Sequence, residues 1–305
     1  MGRAGLNAVV PEDMIAQRRS VYAGVSTREL FVEGDGPTIV LVHGFAHPAD
    51  SWRPVLRWFA AAGQAAVAVD LPGFGAADPA EPGPWLPQGD RFLGDVIARH
   101  SANGPVVLVG NSLGAALTVR SAASPLRGSI RGIVPTATPG LGWTPLVDAA
   151  LVCNGRLLAG IAAVGAPGLV RRCSADWLVG HLLYGDRTAL DAELVRILSS
   201  QTHDRRDARE LLRRAVLMKD EVDAGPAVTG VTCPAVIVHG RRDRIVALAS
   251  SKGFHAAIPH SRLVVLPRAG HCPQLDAPDA IAVLARELTA RVPRSRRSVC
   301  DGAHE

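Results

Sequence analysis

Cysteine is scarce in this chain and forms no recognisable pattern. Only five occur among 305 residues, an odd number, and no two stand in the Cys-x-x-Cys spacing that zinc sites and redox centres use. This spacing argues against a disulfide framework and predicts free thiols in a reducing compartment, so we expect a cytoplasmic protein. The residues are Cys153, Cys173, Cys233, Cys272 and Cys300.

Long uninterrupted apolar runs are also missing. The most apolar stretch, residues 146–170, is broken by Asp148, Asn154, Arg156 and Pro167, whereas a membrane-spanning helix needs about 20 apolar residues in a row. The N-terminal segment carries the charged residues Glu12, Asp13, Arg18 and Arg19 and lacks the apolar centre of a secretory signal. We therefore expect neither a transmembrane segment nor a signal peptide, while contact between an apolar helix and a membrane surface stays open.

Lysine is nearly absent, since Lys219 and Lys252 are the two in the chain and arginine supplies the remaining positive charge. The net charge of +5 raises the question of nucleic-acid binding. The arginines are scattered, however, and aromatic residues make up only 4% of the chain, so a basic surface interleaved with aromatics is not predicted. The chain also has no cofactor fingerprint and no metal-ligand spacing, so we expect neither a nucleic-acid partner, a cofactor nor a metal ion.

The first chemical signal is the pentapeptide Gly110-Asn111-Ser112-Leu113-Gly114. A β-branched apolar run at residues 105–109 precedes it, and an Ala/Leu-rich segment with helical spacing follows at residues 113–123. Ser112 is therefore predicted on a sharp turn from strand to helix, where the two glycines leave room for neighbouring backbone. The alternative is an ordinary surface serine in a loop.

An acid and a base follow in the same kind of place. Asp243 comes after the apolar run at residues 233–240, and His271 comes after a second run at residues 262–267. Since both runs are predicted parallel strands, both side chains should lie at the carboxyl edge of the sheet together with Ser112. The alternatives are an Asp243 that pairs with its neighbouring arginines on the surface and a His271 with a structural role.

These residue types suit nucleophilic catalysis. A serine hydroxyl is a weak nucleophile near neutral pH, and a histidine within hydrogen-bond reach can take its proton and return it to the leaving group. Asp243 would hold the His271 ring in the useful tautomer and stabilise its positive charge. Asp220 and Asp223 are the rival acids, but they precede the strand instead of following it.

Strand and helix patterns alternate along most of the chain, which predicts an α/β protein with a doubly wound, mostly parallel sheet. The core is assigned to residues 21–138 and 229–292, an all-helical insertion to residues 139–228, and flexible termini to residues 1–20 and 293–305. The expected strands lie near 21–32 (an antiparallel pair), 38–42, 65–70, 105–110, 130–136, 233–240 and 262–267, and the expected helices near 51–62, 89–100, 113–123, 188–198 and 207–218.

Four motifs in order resemble those of the α/β-hydrolase fold superfamily, over residues 28–291. Besides the serine pentapeptide they are the strand that ends in His43-Gly44-Phe45, the loop at residues 70–75 and the histidine loop at residues 270–278. The resemblance implies an oxyanion hole built from the backbone N–H groups of Phe45 and Leu113. It also implies that the insertion is a helical cap and that His43 is a structural residue, although a role as a second base stays open.

The resemblance is to the group of esterases, carbon–carbon bond hydrolases and cofactor-free haloperoxidases. It implies a serine hydrolase that forms an acyl-enzyme with a small, largely apolar carboxylic ester or related carbonyl substrate. A carbon–carbon hydrolase of ring-cleavage products, a haloperoxidase or perhydrolase, and a receptor for a small ligand are the alternatives. Serine at position 112 disfavours haloalkane dehalogenases and epoxide hydrolases, which use aspartate there. The sequence makes no prediction of the oligomeric state.

Two further expectations concern the surroundings of the site. Cys272 follows the candidate base, so it lies either beside the substrate pocket, open to thiol reagents, or in the core as a small buried hydrophobe. Substrate choice should depend on residues of the insertion. The candidate lining residues, each of which could instead belong to the core of the insertion, are Trp143, Leu146, Leu157, Trp177 and Leu182.

Overall fold

The fold is built on one eight-stranded sheet. The computed structural model describes residues 14–152, 168–200, 205–225 and 228–290. The strands run in the order β1-β2-β4-β3-β5-β6-β7-β8, with β1 and β2 antiparallel and the others parallel. Their bounds are β1 Ala16–Tyr22, β2 Val25–Val32, β3 Asp35–Val42, β4 Gln64–Val69, β5 Val106–Asn111, β6 Ile130–Thr136, β7 Ala235–Gly240 and β8 Ser261–Leu266.

The central strands are apolar along their whole length because both faces of the sheet are covered. Every residue of β5 and of β7 is buried. On one face, α1 and α10 pack against the sheet through Phe59 and Ile281; on the other face, α2, α3 and α8 pack against it through Phe92, Leu117 and Phe254. The predicted doubly wound α/β sheet is therefore confirmed.

Helices α1 to α8 of the described residues fall between strands, and α9 and α10 follow β8. Their bounds are α1 Arg53–Ala61, α2 Trp85–His100, α3 Leu113–Ala123, α4 Pro145–Val152, α5 Gly168–Leu183, α6 Ala192–Ser199, α7 Arg205–Asp223, α8 Leu248–Ala257, α9 Pro273–Asp276 and α10 Pro278–Glu287. None of these described helices is long and apolar enough to cross a membrane.

Several boundaries differ from the sequence expectation for physical reasons. Helix α2 begins at Trp85, ahead of the predicted start near residue 89, because the carboxylate of Glu221 accepts hydrogen bonds from the N–H groups of Trp85 and Leu86 at 2.8 and 2.7 Å. Helix α6 begins after Asp191, whose side chain accepts from two N–H groups of the first turn. The predicted start of that helix at residue 188 is therefore too early.

The first strand extends into the range 1–20 that was assigned to a flexible terminus. Residues 16–22 pair with β2 along their whole length, from Ala16 opposite Phe31 to Tyr22 opposite Val25. The turn between the strands holds Ala23 and Gly24 at φ values of 48° and 81°, as a tight hairpin requires. The sheet therefore begins at residue 16, and the assignment of residues 16–20 to a flexible terminus is wrong. Residues 1–13 and the predicted flexible tail, 293–305, lie outside the described residues.

Helices α4 to α7 belong to one insertion between β6 and β7. The described residues of this insertion contribute no strand to the sheet, and their one β-contact is an isolated bridge between Trp143 and Val246. Helix α7 is longer at both ends than the predicted 207–218, and its residue Glu221 caps α2. The insertion is thus joined to the sheet domain by direct contacts from at least one of its helices.

The turn from β5 to α3 allows no side chain at Gly114. A Cβ atom there would overlap the carbonyl oxygens of Val42 and His43 at the end of β3, and a Cβ atom at Gly110 would overlap the carbonyl of Gly114. The helix can therefore start directly against two parallel strands. This close packing fixes the direction in which the residue between the glycines, Ser112, leaves the sheet.

We expect Gly114→Ala to lower the free energy of unfolding by about 1–3 kcal/mol or more, because the added methyl group must displace the backbone at the end of β3. Gly128→Ala is the matched control, since a Cβ atom at Gly128 meets no atom within 4 Å. Urea unfolding followed by circular dichroism measures both. Equal unfolding midpoints for the two variants would contradict the packing argument.

Candidate active site

Ser112 lies on the turn predicted for it. Its φ of 51° and ψ of −115° are unusual for a residue with a side chain. The turn is held by the N–H of Ser112, which donates to Thr136 O at 2.9 Å, and by its carbonyl, which accepts from Ala116 N at 3.0 Å. The strained backbone places a half-buried hydroxyl between the end of β5 and the start of α3.

Asp243 and His271 are brought together. The His271 Nδ1 atom lies 2.9 Å from Asp243 Oδ2 and 3.1 Å from Oδ1, and both side chains are buried. Because an ionised carboxylate can only accept, the proton resides on Nδ1 and leaves Nε2 as an acceptor. The N–H groups of Ile245 and Val246 also donate to Asp243 Oδ1, at 2.8 and 3.0 Å. The carboxylate is therefore oriented from two sides.

The charge of Asp243 is stabilised by these partners. Burial by itself raises the pKa of Asp243, but the electrostatic attraction to His271 and the hydrogen bonds from His271 and Ile245 outweigh it and hold the pKa below its ordinary value. Behind the acid, His239 Nε2 lies 3.9 Å from Asp243 Oδ2, and its Nδ1 atom contacts Ser251 Oγ at 2.9 Å. Burial lowers the pKa of His239, so this residue, which the sequence analysis missed, is a neutral neighbour of the acid.

Ser112 is linked to His271 through its neighbour Asn111. The Asn111 side chain donates to the carbonyl of His271 at 2.9 Å and to Thr136 Oγ1 at 3.2 Å. No hydrogen bond joins Ser112 Oγ to the His271 ring within the described parts of the chain. The elbow and the histidine loop are thus held together by an amide beside the nucleophile position, a role for Asn111 that its sequence neighbourhood did not reveal.

Cys272 is fully buried, so of the two expectations for it the buried hydrophobe is the one observed. Its thiol donates to Asn111 Oδ1 at an S–O distance of 3.6 Å. Burial raises the pKa of Cys272 well above its usual value, which leaves the protonated thiol. The three cysteines among the described residues, Cys173, Cys233 and Cys272, are free.

The two backbone donors expected of an oxyanion hole are unoccupied. Neither Phe45 N–H nor Leu113 N–H donates to a protein acceptor in the described residues. The loop that carries Phe45 is a tight turn closed by the N–H of His47, which donates to Gly44 O at 3.2 Å. A Cβ atom at Gly44 would lie 3.3 Å from the Cβ atom of Ser112, so this turn lies directly against the serine.

His43 has no free ring nitrogen. Its Nε2 atom accepts from the N–H of Leu71 at 2.9 Å, and its Nδ1 atom lies 2.8 Å from the carbonyl of Gly44. Burial lowers the pKa of His43. The ring therefore joins two loops through the backbone, and a role as a second base is not compatible with this arrangement.

The rival acids lie elsewhere. Asp223 accepts from Trp143 Nε1 at 2.8 Å and from Lys219 Nζ at 2.6 Å, while Asp220 is exposed on the same helix. Neither forms a hydrogen bond with His271. Of the three candidate acids, Asp243 is the one that contacts the histidine.

Asp276 anchors the histidine loop and was not predicted. Its carboxylate accepts from Gly270 N at 2.7 Å, from Gly185 N at 2.9 Å and from Asp186 N at 3.1 Å. Burial raises the pKa of Asp276 even though these N–H groups lower it. The residue connects the histidine loop to the segment that follows α5. Its place in the histidine loop, residues 270–278, was the one sequence feature that could have indicated this role.

A cavity of about 1340 Å³ lies between the loop after β4 and helices α6 and α7. The Phe74 ring on its wall packs edge-on against the Phe45 ring, with 5.4 Å between the centroids, so the cavity adjoins the loop beside Ser112. Among the predicted lining residues, Trp177 and Leu146 are more than half exposed to solvent. Trp143 and Leu182 do not reach this cavity, and Leu157 lies outside the described residues.

The described residues contain no group of three or more His, Cys, Asp or Glu side chains that could hold a metal ion. Asp243, His271 and Asn111 at the carboxyl edge of the sheet hydrogen-bond with one another or with backbone groups. The arrangement is therefore suited to proton transfer and to the stabilisation of an anion by backbone N–H groups.

Comparison with known proteins agrees with this architecture. The chain is 27% identical over 269 residues to the pimeloyl-[acyl-carrier protein] methyl ester esterase of Xanthomonas oryzae pv. oryzae, covering 86% of this chain and 98% of that protein. It is 24% identical over 304 residues to Esterase Rv0045c of Mycobacterium tuberculosis, covering 93% and 91%.

A solved structure of similar fold is the 2-hydroxy-6-oxo-6-phenylhexa-2,4-dienoate hydrolase of Rhodococcus. It superposes with a TM-score of 0.70 at 23% identity and covers 90% of this chain and 98% of that one. The family model of the alpha/beta hydrolase family matches residues 39–284. From its sheet order, its site-bearing loops and this match over most of its length, the chain belongs to the alpha/beta hydrolase family.

Proposed function

We propose that the protein is a serine hydrolase that cleaves small carboxylic esters of largely apolar character through an acyl-enzyme. The observation that carries the proposal is the hydrogen bond between His271 Nδ1 and Asp243, which leaves Nε2 able to accept a proton. The unoccupied N–H groups of Phe45 and Leu113 beside Ser112 support it further. The esterases among the relatives agree with this reaction class.

The reaction begins when Ser112 Oγ attacks the ester carbonyl and His271 Nε2 takes the hydroxyl proton. The negative charge on the carbonyl oxygen is stabilised by the N–H groups of Phe45 and Leu113. Asp243 stabilises the imidazolium without taking its proton. His271 then protonates the departing alcohol, and a water molecule, activated by the same ring, releases the acid.

Asn111 bears on the choice between ester and carbon–carbon bond cleavage. The segment Gly110-Asn111-Ser112 resembles the Gly-Asn-Ser elbow that is common among carbon–carbon bond hydrolases. In the structure the Asn111 amide is engaged by Thr136, His271 and Cys272, so the asparagine has an internal role that needs no substrate. The elbow therefore gives no separate support for carbon–carbon chemistry, and we favour the ester hydrolase.

The helical insertion is proposed to act as a cap. Helix α7 lies over the cavity through Leu217 and Met218, and Phe74 and Trp85 form the opposite wall. The wall combines these apolar side chains with charged ones such as Arg214 and Glu221, and a cavity of this kind can select substrates by shape and charge. A receptor without turnover would not require a histidine oriented for proton transfer.

We expect Ser112→Ala to reduce the turnover of nitrophenyl hexanoate on the order of 10³-fold or more, because no other hydroxyl occupies the elbow. Ser101→Ala, a change at the end of α2 remote from the elbow, is the matched control and should retain full activity. Release of nitrophenol measured spectrophotometrically gives both rates. Turnover by Ser112→Ala near that of the wild type would overturn the assignment of the nucleophile.

Asp243→Asn should lower kcat on the order of 10³- to 10⁴-fold while the fold is kept, because an amide can hold His271 in the wrong tautomer and cannot offset its charge. Asp223→Asn should leave kcat nearly unchanged, since Asp223 pairs with Lys219 and Trp143 instead. Steady-state kinetics on the two purified variants compare them directly. If Asp223→Asn were the slower enzyme, the acid would be misassigned.

A further inference from the structure

The cavity between the loop after β4 and helices α6 and α7 has an arginine, Arg214, on its wall. Arg214 extends from α7 into the cavity, and its guanidinium lies over the ring of Phe74 at 4.6 Å from the centroid. The same ring contacts Phe45, the residue with an open N–H beside Ser112. A continuous path of contacts therefore runs from the proposed oxyanion hole to a half-buried positive charge.

The other arginines on the cavity wall have carboxylate partners. Arg28 pairs with Asp50 and with Asp70, and Arg213 pairs with Glu210 at 2.7 Å. Arg214 has no carboxylate within ion-pair distance in the described parts of the chain. Its one hydrogen bond to the described residues is a long contact of 3.3 Å from Nη2 to the carbonyl of Gly73, although a guanidinium has five N–H donors.

The other acids on the cavity wall do not form an ion pair with Arg214 in the described residues. Glu221 is engaged by the N–H groups that begin α2, and Asp50 is engaged by Arg28 and Arg53. Glu81 and Asp220 are exposed to solvent. Burial lowers the pKa of Arg214, and the charge of Glu210, which forms its ion pair with Arg213, only partly offsets this effect.

A half-buried guanidinium without a counter-ion is suited to bind an anionic oxygen group. The neighbouring walls are apolar, since Phe74, Trp85 and Met218 are buried, and the Trp85 Nε1–H is already used by the carbonyl of Pro72 at 3.0 Å. A ligand here would pack its carbon chain on these side chains and place its charged end at Arg214.

We propose that Arg214 binds a carboxylate or phosphate that the substrate carries at a distance from the bond to be cleaved. This inference rests on the proposed esterase function and narrows its substrate class from apolar esters to esters with an apolar chain and an anionic end. Arg214 is then a specificity residue that contacts substrate without taking part in proton transfer.

The test compares nitrophenyl esters that share one chain length and differ at its end. They are the neutral hexanoate, the monoester of adipic acid, which ends in a carboxylate, and the ester of a hexanoate that ends in a phosphate. In the wild type, kcat/KM should be about tenfold to a hundredfold higher for an anionic ester than for the neutral one. Comparison of kcat/KM between the carboxylate ester and the phosphate ester identifies which anion the site prefers.

Arg214→Gln should remove this preference and leave the neutral ester unaffected. Arg213→Gln removes the same charge one position earlier, where Glu210 pairs with it, and should retain the preference. Equal kcat/KM for all three esters in the wild type would overturn the proposal. If both variants lost the preference equally, the effect would come from long-range charge. If Arg214→Gln lowered kcat/KM equally for all three esters, Arg214 would have a structural role. Either result would contradict the proposal.

A binding measurement separates this proposal from the proposed reaction. Adipic acid monoamide keeps the carboxylate but has no ester, so its affinity, measured by calorimetry, does not depend on turnover. We expect binding to the wild type that weakens at least tenfold in Arg214→Gln but not in Arg213→Gln. Such binding without hydrolysis of any ester would reject the esterase and keep the anion site, whereas hydrolysis without a difference in binding would reject the anion site.

Discussion

Close approach of backbone segments at the carboxyl edge of the sheet is the constraint on which the site depends. Gly114 lets α3 start against the carbonyl groups that end β3, and Gly240 lets the end of β7 touch the backbone at Gly270. A methyl group at either position would separate the loops that carry Ser112, Asp243 and His271. The two glycines therefore allow the close backbone packing that positions these three side chains.

The histidine loop is the junction between the sheet and the helical insertion. Asn111 holds the carbonyl of His271 from the side of the elbow, and the N–H of Cys272 donates to Leu183 O at 3.0 Å at the end of α5. Asp276 joins the same two regions through three backbone N–H groups. The proposed base therefore sits on a loop anchored both to the nucleophile turn and to the insertion. Because of these contacts, we expect a displacement of α5 relative to the sheet to change the position of His271.

Local patterns in the sequence were sufficient for the strands, the elbow and the pairing of Asp243 with His271, because each depends on a short apolar run and the loop after it. The features that were missed depend on contacts between distant residues. The start of α2 is set by Glu221, more than a hundred positions along the chain, and the role of Asp276 depends on Gly185, which lies 91 positions away. The predicted pocket residues Leu146 and Trp177 are more than half exposed to solvent, and their role in lining a substrate pocket stays a prediction. Helical periodicity identifies an apolar face but not the element that covers it.

The central claim is that Ser112 is the residue that becomes acylated. The most direct measurement is mass spectrometry of the protein after treatment with a fluorophosphonate, which reacts with a serine activated by a neighbouring base. The account predicts one adduct per chain, located on the peptide that contains Ser112 and absent from Ser112→Ala. An unlabelled protein, or an adduct on any other residue, would contradict it.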